Sequence, residues 1–585
     1  MFMFFENSKS SAFYEEKEKT KINVITQFYV PKDDKRYHEL CFCLKQNVLN
    51  QDIDKIYLLN EKIYTHEELK VNSDKIVQEN IEKRLKFSDV FNYVQENNIE
   101  GYIVIVNSDI FLDRSIKRLK TSEISKNNSC YALLRYEYRS EKILEDCNIF
   151  GSKEFYKKQF KMNNPYSLFI PNEIENVNYE GRCDSMDTWI FHSNSIIKKE
   201  NVIKAFNFYF GTPGCDNKII YLLKILGYEV FNDPKCIKTY HYHSNIERNY
   251  TVKDRLNSPY GLLIPYGFNS KNMMNYLGLN INEVSKITNN FKQYNFTNSN
   301  YDFKNYLTKK LENGQNFIVP RIAGVENNTA FFSLLVNNGS IPLHQAERFL
   351  RYSTMKNNAG IKISSFKSSL NYANLYLDAF KNSDLISTWE PWGDVYKYIK
   401  DSHDFVVNNF KKNIIWAFVF DIYHYLHNPW THALKGKKIL IISAFVESIK
   451  EKIEIRKEIY GVDLFPECNF IFLKPPQTQG NEESEEFTVE LEKFQKKIDE
   501  IKDDFDVALV SCGGYGNLVC NYIYKIDKSA IYVGGVLQMY FGIYGARWLR
   551  ERKDILNLYI NKHWTRPKEQ EKPKSYEKVE NSCYW

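Results

Sequence analysis

The sequence predicts an α/β protein with two sheet-bearing halves, and three observations lead there. Short apolar runs such as Tyr102 to Val106 alternate with helix-period segments such as the one through Leu40, Leu44 and Val48. That alternation marks a mostly parallel sheet covered on both faces. The pattern occurs twice, on either side of an Asn-rich polar stretch, and 585 residues are more than one hydrophobic core serves.

In chain order, residues 1–20 read as a loose arm. A first α/β domain spans 21–265: the β-rich run Asn23 to Val30, a helix, the strand Lys55 to Leu59, the strand Tyr102 to Val106, and a helix over Lys218 to Leu226. Residues 266–310 are the linker. A second α/β domain, 311–560, opens with helices over Leu343 to Met355 and Leu370 to Phe380. Its strands are Lys438 to Ser443, Phe470 to Leu473 and Val507 to Val510, with a charged helix over Glu485 to Asp503 that Ser484 is placed to cap. The Lys/Glu/Pro-rich tail 561–585 reads as disordered.

Composition removes several classes of function. The chain is 43% hydrophobic and 26% charged, ordinary for a globular protein, and its net charge of +6 comes from Lys interleaved with Glu and Asp, a solvated face and no nucleic-acid groove. The apolar run Met1 to Phe5 is too short for a signal peptide, and the most apolar patch, Ile414 to Leu426, is broken by Asp421 and His424, so no membrane span is expected. Eleven Cys without paired spacing imply reduced thiols and a cytoplasmic location.

The chemistry-bearing residues cluster at strand ends and helix starts, where open α/β sheets bind ligands. Asn107-Ser108-Asp109 follows the strand Ile103 to Val106; a carboxylate there either holds a divalent cation or caps the next helix. In Asp184-Ser185-Met186-Asp187-Thr188-Trp189, Asp187 and Trp189 can grip a sugar, or serve as a cap and a core indole. Asp216, at the start of a helix, suits a general base or a plain cap. His241 and His243 alternate in Tyr240-His241-Tyr242-His243, so both imidazoles face one side of a strand, and with Asp109 they make a mixed N/O site for a Mn²⁺-like ion.

In this order the residues of 21–265 resemble the GT-A glycosyltransferases. Asn107-Ser108-Asp109 stands at the family's acidic metal motif, with Asn107 in place of its leading Asp; Gly214-Cys215-Asp216 stands at the later acidic helix start, and His241 or His243 at the C-terminal metal-binding His. The resemblance implies a nucleotide-sugar donor and a glycan or glycoconjugate acceptor, with Mn²⁺ or Mg²⁺ held by Asp109, His241 and His243. It further implies an inverting displacement with Asp216 as base, Asp187 positioning a sugar, and Asn60, Glu61, Arg84, Asn107, Asp109 and Trp189 around the donor.

In the second half, Arg321-Ile322-Ala323-Gly324-Val325-Glu326 is similar to the Arg-x-Gly-Asp-Gly-Glu signature of GT-D glycosyltransferases, with Ala323, Gly324 and Val325 replacing its Gly, Asp and Gly. The turn Gly513-Gly514-Tyr515-Gly516 would bring backbone N–H groups to a phosphate, or pack a helix closely. Together these give two Rossmann-like domains, a GT-A-type domain and a GT-D-like domain that is a second transferase or a binding module. The rivals are a sugar nucleotidyltransferase, which would carry a Gly-rich basic loop where Thr26-Gln27-Phe28-Tyr29 stands, and a non-catalytic glycan-binding scaffold. A homo-oligomer is compatible with all of them.

Overall fold

The computed structural model describes residues 20–139 (except 123, 126 and 127), 144, 167–170, 185–244 (except 233, 235 and 236), 254–256, 260–263 and 296–585 (except 390–393, 477, 481 and 580). The chain divides into two compact units, Met1–Asn295 and Phe296–Trp585, each of mixed α/β content. Residues 1–19 of the expected arm, Asp184 and residues 266–295 of the expected linker lie outside the described residues.

The first unit is built on β1 (Ile22–Thr26), α1 (Asp34–Leu49), β2 (Lys55–Asn60), β3 (Ile76–Asn80), α2 (Phe87–Glu96), β4 (Tyr102–Val106), β5 (Ile110–Leu112), β6 (Ser129–Leu134), β7 (Tyr136–Glu137), β8 (Ser167–Ile170), β9 (Met186–His192), α3 (Cys215–Ile225), β10 (Glu229–Phe231), β11 (Thr239–His241) and β12 (Tyr260–Leu263). Seven strands form one sheet in the order β10-β6-β9-β4-β1-β2-β3, in which β9 alone runs antiparallel to its neighbours. β1, β4 and β6 are buried at every residue; β4 accordingly reads as an unbroken apolar run, while β1 and β6 bury the polar Asn23, Thr26 and Ser129 among their apolar residues. Because β9 is antiparallel, its first residues lie at the sheet edge where β4 and β6 end. The Asp187 segment is therefore a strand, where the sequence allowed a helix start.

A second, three-stranded sheet, β5-β11-β7, leaves that edge. Its aromatic face packs Phe111, Tyr136, Tyr240 and Tyr242 into one cluster with Phe42 and Tyr138; the Phe111 and Tyr240 rings stack at 5.2 Å. Alternation then puts His241 and His243 on the other side of the strand.

The second unit starts at α4 (Phe296–Glu312), whose Phe303 and Leu307 are fully buried, so the latter part of the expected linker is a packed helix. There follow β13 (Ile318–Val319), α5 (Gly324–Asn337), α6 (Phe366–Asn382), β14 (Leu385–Thr388), α7 (Asp394–Phe410), β15 (Asn413–Trp416), β16 (Lys438–Ser443), β17 (Asn469–Leu473), α8 (Phe487–Asp499), β18 (Val507–Ser511), α9 (Gly516–Lys525) and β19 (Ser529–Tyr532). Five of these strands make a parallel sheet in the order β13-β19-β18-β16-β17. The residue before α8 is Glu486, not Ser484, and no side chain caps that helix.

The tail 561–585 corrects the expectation of disorder. Val579, Cys583 and Trp585 are buried, and Glu571, itself buried, accepts hydrogen bonds from the backbone N–H of Glu447 and Ser448. The charged composition masked three apolar anchors, each worth about 1.5–3 kcal/mol of burial. Among the described residues no helix is long and apolar enough to cross a membrane, and the described cysteines are free thiols.

Candidate metal centre of the first unit

The edge of the seven-stranded sheet carries a continuous line of charge. Arg36 projects from α1, which follows β1; Asn107 and Asp109 follow β4; Asp187 opens β9; Arg135 follows β6. These four strands are neighbours in the order β1-β4-β9-β6, so the residues meet although they are far apart in sequence.

Asp109 is the centre. Its Oδ2 lies 2.7 Å from Arg36 Nη2, 3.2 Å from His241 Nε2 and 3.7 Å from His243 Nδ1. Ligand atoms of Asp109, His241 and His243 all lie within 4.8 Å of one another, so these three residues could hold one metal ion. Strand pairing brings them together: His241 pairs with Ile110 across β5–β11, and the Asp109 carbonyl accepts the Tyr242 N–H at 3.0 Å.

Four residues the sequence did not single out surround this centre. His241 pairs with Glu137 across β11–β7, and Glu137 Oε1 lies 3.1 Å from His241 Nδ1. That contact turns Nε2 towards Asp109, the usual way a carboxylate orients a metal-binding imidazole. Arg135, almost fully buried, donates to Glu137 at 2.9 Å, to Ser185 Oγ at 2.8 Å and to Asp187. On the other flank Arg36 also pairs with buried Glu39 at 3.0 Å, and Glu39 accepts from the Ser244 N–H at 2.7 Å. A sequence signal existed for one of the four: Tyr136-Glu137-Tyr138 has the same tyrosine alternation as Tyr240-His241-Tyr242.

The electrostatics follow from these contacts. Burial opposes the charge on Asp109, but His241 and Arg36 outweigh it and hold the carboxyl well below the usual range. Burial likewise opposes Glu137, yet His241 and Arg135 bring it down to about 2. For His241, burial and Arg135 favour the neutral ring, but Asp109 and Glu137 prevail and raise it to about 9. His243 is lowered by burial and by Arg36 and stays neutral. Four carboxylates (Glu39, Asp109, Glu137 and Asp187) thus face two guanidiniums, Arg36 and Arg135. A carboxylate and two imidazoles fit a Mn²⁺-like cation, which would take the place of the His241 proton between these carboxylates.

The other expected residues are placed as follows. Asp187 has both oxygens engaged: Oδ1 accepts from Asn107 Nδ2 at 2.6 Å and Oδ2 from Arg135. These contacts tie the start of β9 to the residues that follow β4 and β6. The Asn107 Oδ1 beside it is buried without a partner. Asp216 lies half-buried in the first turn of α3, after Cys215, whose buried thiol is raised by desolvation and by the charges of both Asp216 and Asp187.

Trp189 corrects the sequence expectation. It is fully buried, edge-on to Phe87 at 4.9 Å and to Phe210 at 6.3 Å, so neither indole face is open to a sugar. Asn60 is also fully buried and latches the chain by accepting the Phe28 N–H at 2.8 Å, so it is not offered to a nucleoside. Glu61 is exposed and accepts from the Tyr64 hydroxyl. Arg84 is exposed, stacks over Tyr209 at 5.6 Å and donates to the Phe210 carbonyl.

In the second unit, Arg321 stacks over Trp389 at 4.4 Å and donates to the Val533 carbonyl at 2.9 Å. Glu326 lies in the first turn of α5, close enough to act on the buried Tyr372, Tyr376 and Tyr532 hydroxyls. The glycine turn is occupied by the protein itself. The Gly514 N–H donates to the Ala359 carbonyl at 2.6 Å, and a Cβ on Gly516 would come within 2.3 Å of the Tyr532 ring. The expected phosphate cradle is therefore a close-packing turn.

No family model matches the chain, and no curated protein does. Among solved structures it is similar to a selenomethionine-substituted domain of unknown function 1792, at 12% identity and a TM-score of 0.26, over 47% of this chain and 98% of that one. It is also similar to the mannosyltransferase PcManGT from Pyrobaculum calidifontis in complex with GDP-Man and Mn2+, at 10% identity and a TM-score of 0.23, over 42% of this chain and 66% of that one. Likeness at TM-scores this low bears on neither fold nor activity.

Proposed function

We propose that the first unit is a metal-assisted glycosyltransferase that moves a sugar from a nucleotide-sugar donor to a hydroxyl of a glycan or glycoconjugate acceptor. The observation that carries this is the convergence of two imidazoles on one carboxylate oxygen of Asp109 at the carboxyl edge of the sheet. Mn²⁺ or Mg²⁺ held by Asp109, His241 and His243 supplies neutralisation of the charge that builds on the departing nucleoside diphosphate.

Asp216 acts as base. Its place in the first turn of α3 favours the ionised form. The acceptor hydroxyl gives its proton to that carboxylate and its oxygen bonds to the anomeric carbon. The bond from that carbon to the diphosphate breaks, and the electron pair leaves with the diphosphate. Displacement of this kind inverts the anomeric centre. For the second unit we infer a binding or supporting role, because its glycine turn is filled by Ala359 and Tyr532.

Calorimetry with UDP and GDP, with and without Mn²⁺, tests the first assignment: nucleotide binding that requires the ion supports it, and nucleotide binding indifferent to the ion refutes it. Asp216→Asn should abolish transfer while leaving metal-dependent nucleotide binding in place, and full transfer by that variant would remove Asp216 from the chemistry. Glu326→Gln should leave transfer unchanged; lost transfer would make the second unit part of the active machinery.

A further inference from the structure

We propose that Arg36 is an internal counter-ion, holding the metal-facing oxygen of Asp109 in the ion-free protein and turning to the donor's diphosphate once a divalent cation takes that oxygen. The proposal rests on the reading of the first unit as a metal-assisted transferase and names the residue that couples its two ligands.

The geometry carries it. Arg36 Nη2 and both imidazoles converge on the same atom, Asp109 Oδ2, at 2.7, 3.2 and 3.7 Å. A divalent ion drawn to that oxygen would stand close against the guanidinium. Two cations at such range in a partly dry site repel strongly. The guanidinium has somewhere to go. Its other nitrogen stays on Glu39, which is buried and fixed by the Ser244 N–H and hydroxyl. The Arg36 backbone is fixed too, in the first turn of α1, where Asp33 accepts its N–H at 2.7 Å. Only the side chain has to swing, and the helix start favours an anion beside it.

A diphosphate on the ion resolves the conflict. It places negative charge between the two cations and offers the paired oxygens that a guanidinium binds in a fork. Metal and nucleoside diphosphate should therefore bind cooperatively, each raising the affinity of the other by one common factor. Arg36 opposes the ion when it is alone and helps the pair when they arrive together.

Calorimetry on the full chain with Mn²⁺ alone, and with UDP or GDP in saturating Mn²⁺, tests this in the wild type, Arg36→Gln and Arg36→Lys. Removing the charge should move the two affinities in opposite directions: Mn²⁺ alone tightens roughly tenfold, and the nucleotide weakens by roughly tenfold or more, the scale of one charge-assisted hydrogen bond. Arg36→Lys keeps the charge without the fork, so it should leave the affinity for Mn²⁺ alone near wild type and lose part of the nucleotide affinity. If both affinities fall together in Arg36→Gln, or neither moves, while the thermal melt matches wild type, Arg36 only braces Asp109 and the proposal fails. A melt that drops for Arg36→Gln passes the decision to Arg36→Lys, where unchanged nucleotide affinity overturns the proposal. Absence of Mn²⁺ binding in every protein, with and without nucleotide, overturns the underlying transferase reading instead.

Discussion

Asp109→Asn perturbs one atom with two separable consequences. In EDTA, it removes the charge that holds Arg36 at 2.7 Å and His241 at 3.2 Å. Stranding a buried charge costs about 3–5 kcal/mol. Neither partner is stranded here, since Arg36 keeps Glu39 and His241 keeps Glu137. The asparagine amide oxygen can still accept one of the two contacts, so the loss falls near that of one charge-assisted hydrogen bond, about 2 kcal/mol. In Mn²⁺ at a hundred times Kd, the wild type gains a further ~2.7 kcal/mol that the variant cannot. The stability gap should therefore widen from about 2 to about 5 kcal/mol on going from EDTA to Mn²⁺. Hydrogen exchange read on peptides from β4 and β9 measures this for the first unit by itself. A gap of the same size in both buffers would mean that the ion does not use Asp109, and the metal centre would fall.

Three further outcomes follow from the structure. In EDTA, His241→Asn should destabilise the first unit on the order of 3 kcal/mol below about pH 6.5. His241 is raised to about 9 when folded, so this stability is present below the unfolded value and is lost as pH rises through about 9; a penalty independent of pH in urea melts would contradict the pairing with Asp109 and Glu137. Trp189→Phe should cost on the order of 2 kcal/mol and leave donor affinity unchanged, because the indole is core and its Nε1 has no hydrogen-bond partner. A large loss of donor affinity at unchanged stability would restore it as a sugar platform. Gly516→Ala should cost about 1–3 kcal/mol, read by hydrogen exchange on β18 and α9, since its Cβ would meet the Tyr532 ring. Unchanged protection there would reopen the turn as a ligand cradle.

The strands were legible because buried strands are short, apolar and bounded, as Tyr102 to Val106 and Lys438 to Ser443 show. The meeting of Asp109 with His241 and His243 was legible for a related reason: polar residues just past apolar strands converge, and alternating histidines share a face. Arg36 was not, because nothing local ties it to Asp109, 73 positions away, and Glu137 showed only in the tyrosine alternation it shares with its partner His241, 104 positions away. Trp189 misled because a strand inside a covered sheet buries both faces, so an aromatic beside a carboxylate need not share its exposure. The glycines of residues 513–516 misled for the opposite reason, since a phosphate and a neighbouring carbonyl demand the same absent Cβ.

The tyrosines that alternate with the two histidines make the dry side of a short strand the regulator of its wet side. Phe111, Tyr136 and Tyr240 fix how that strand is threaded between its neighbours, and a slip of one position would point both imidazoles into the aromatic cluster. Ion affinity can thus be tuned by resizing rings that never approach the ion. A search for variants altered at the Asp109, His241 and His243 centre would do well to randomise Phe42, Tyr138 and Tyr242 first.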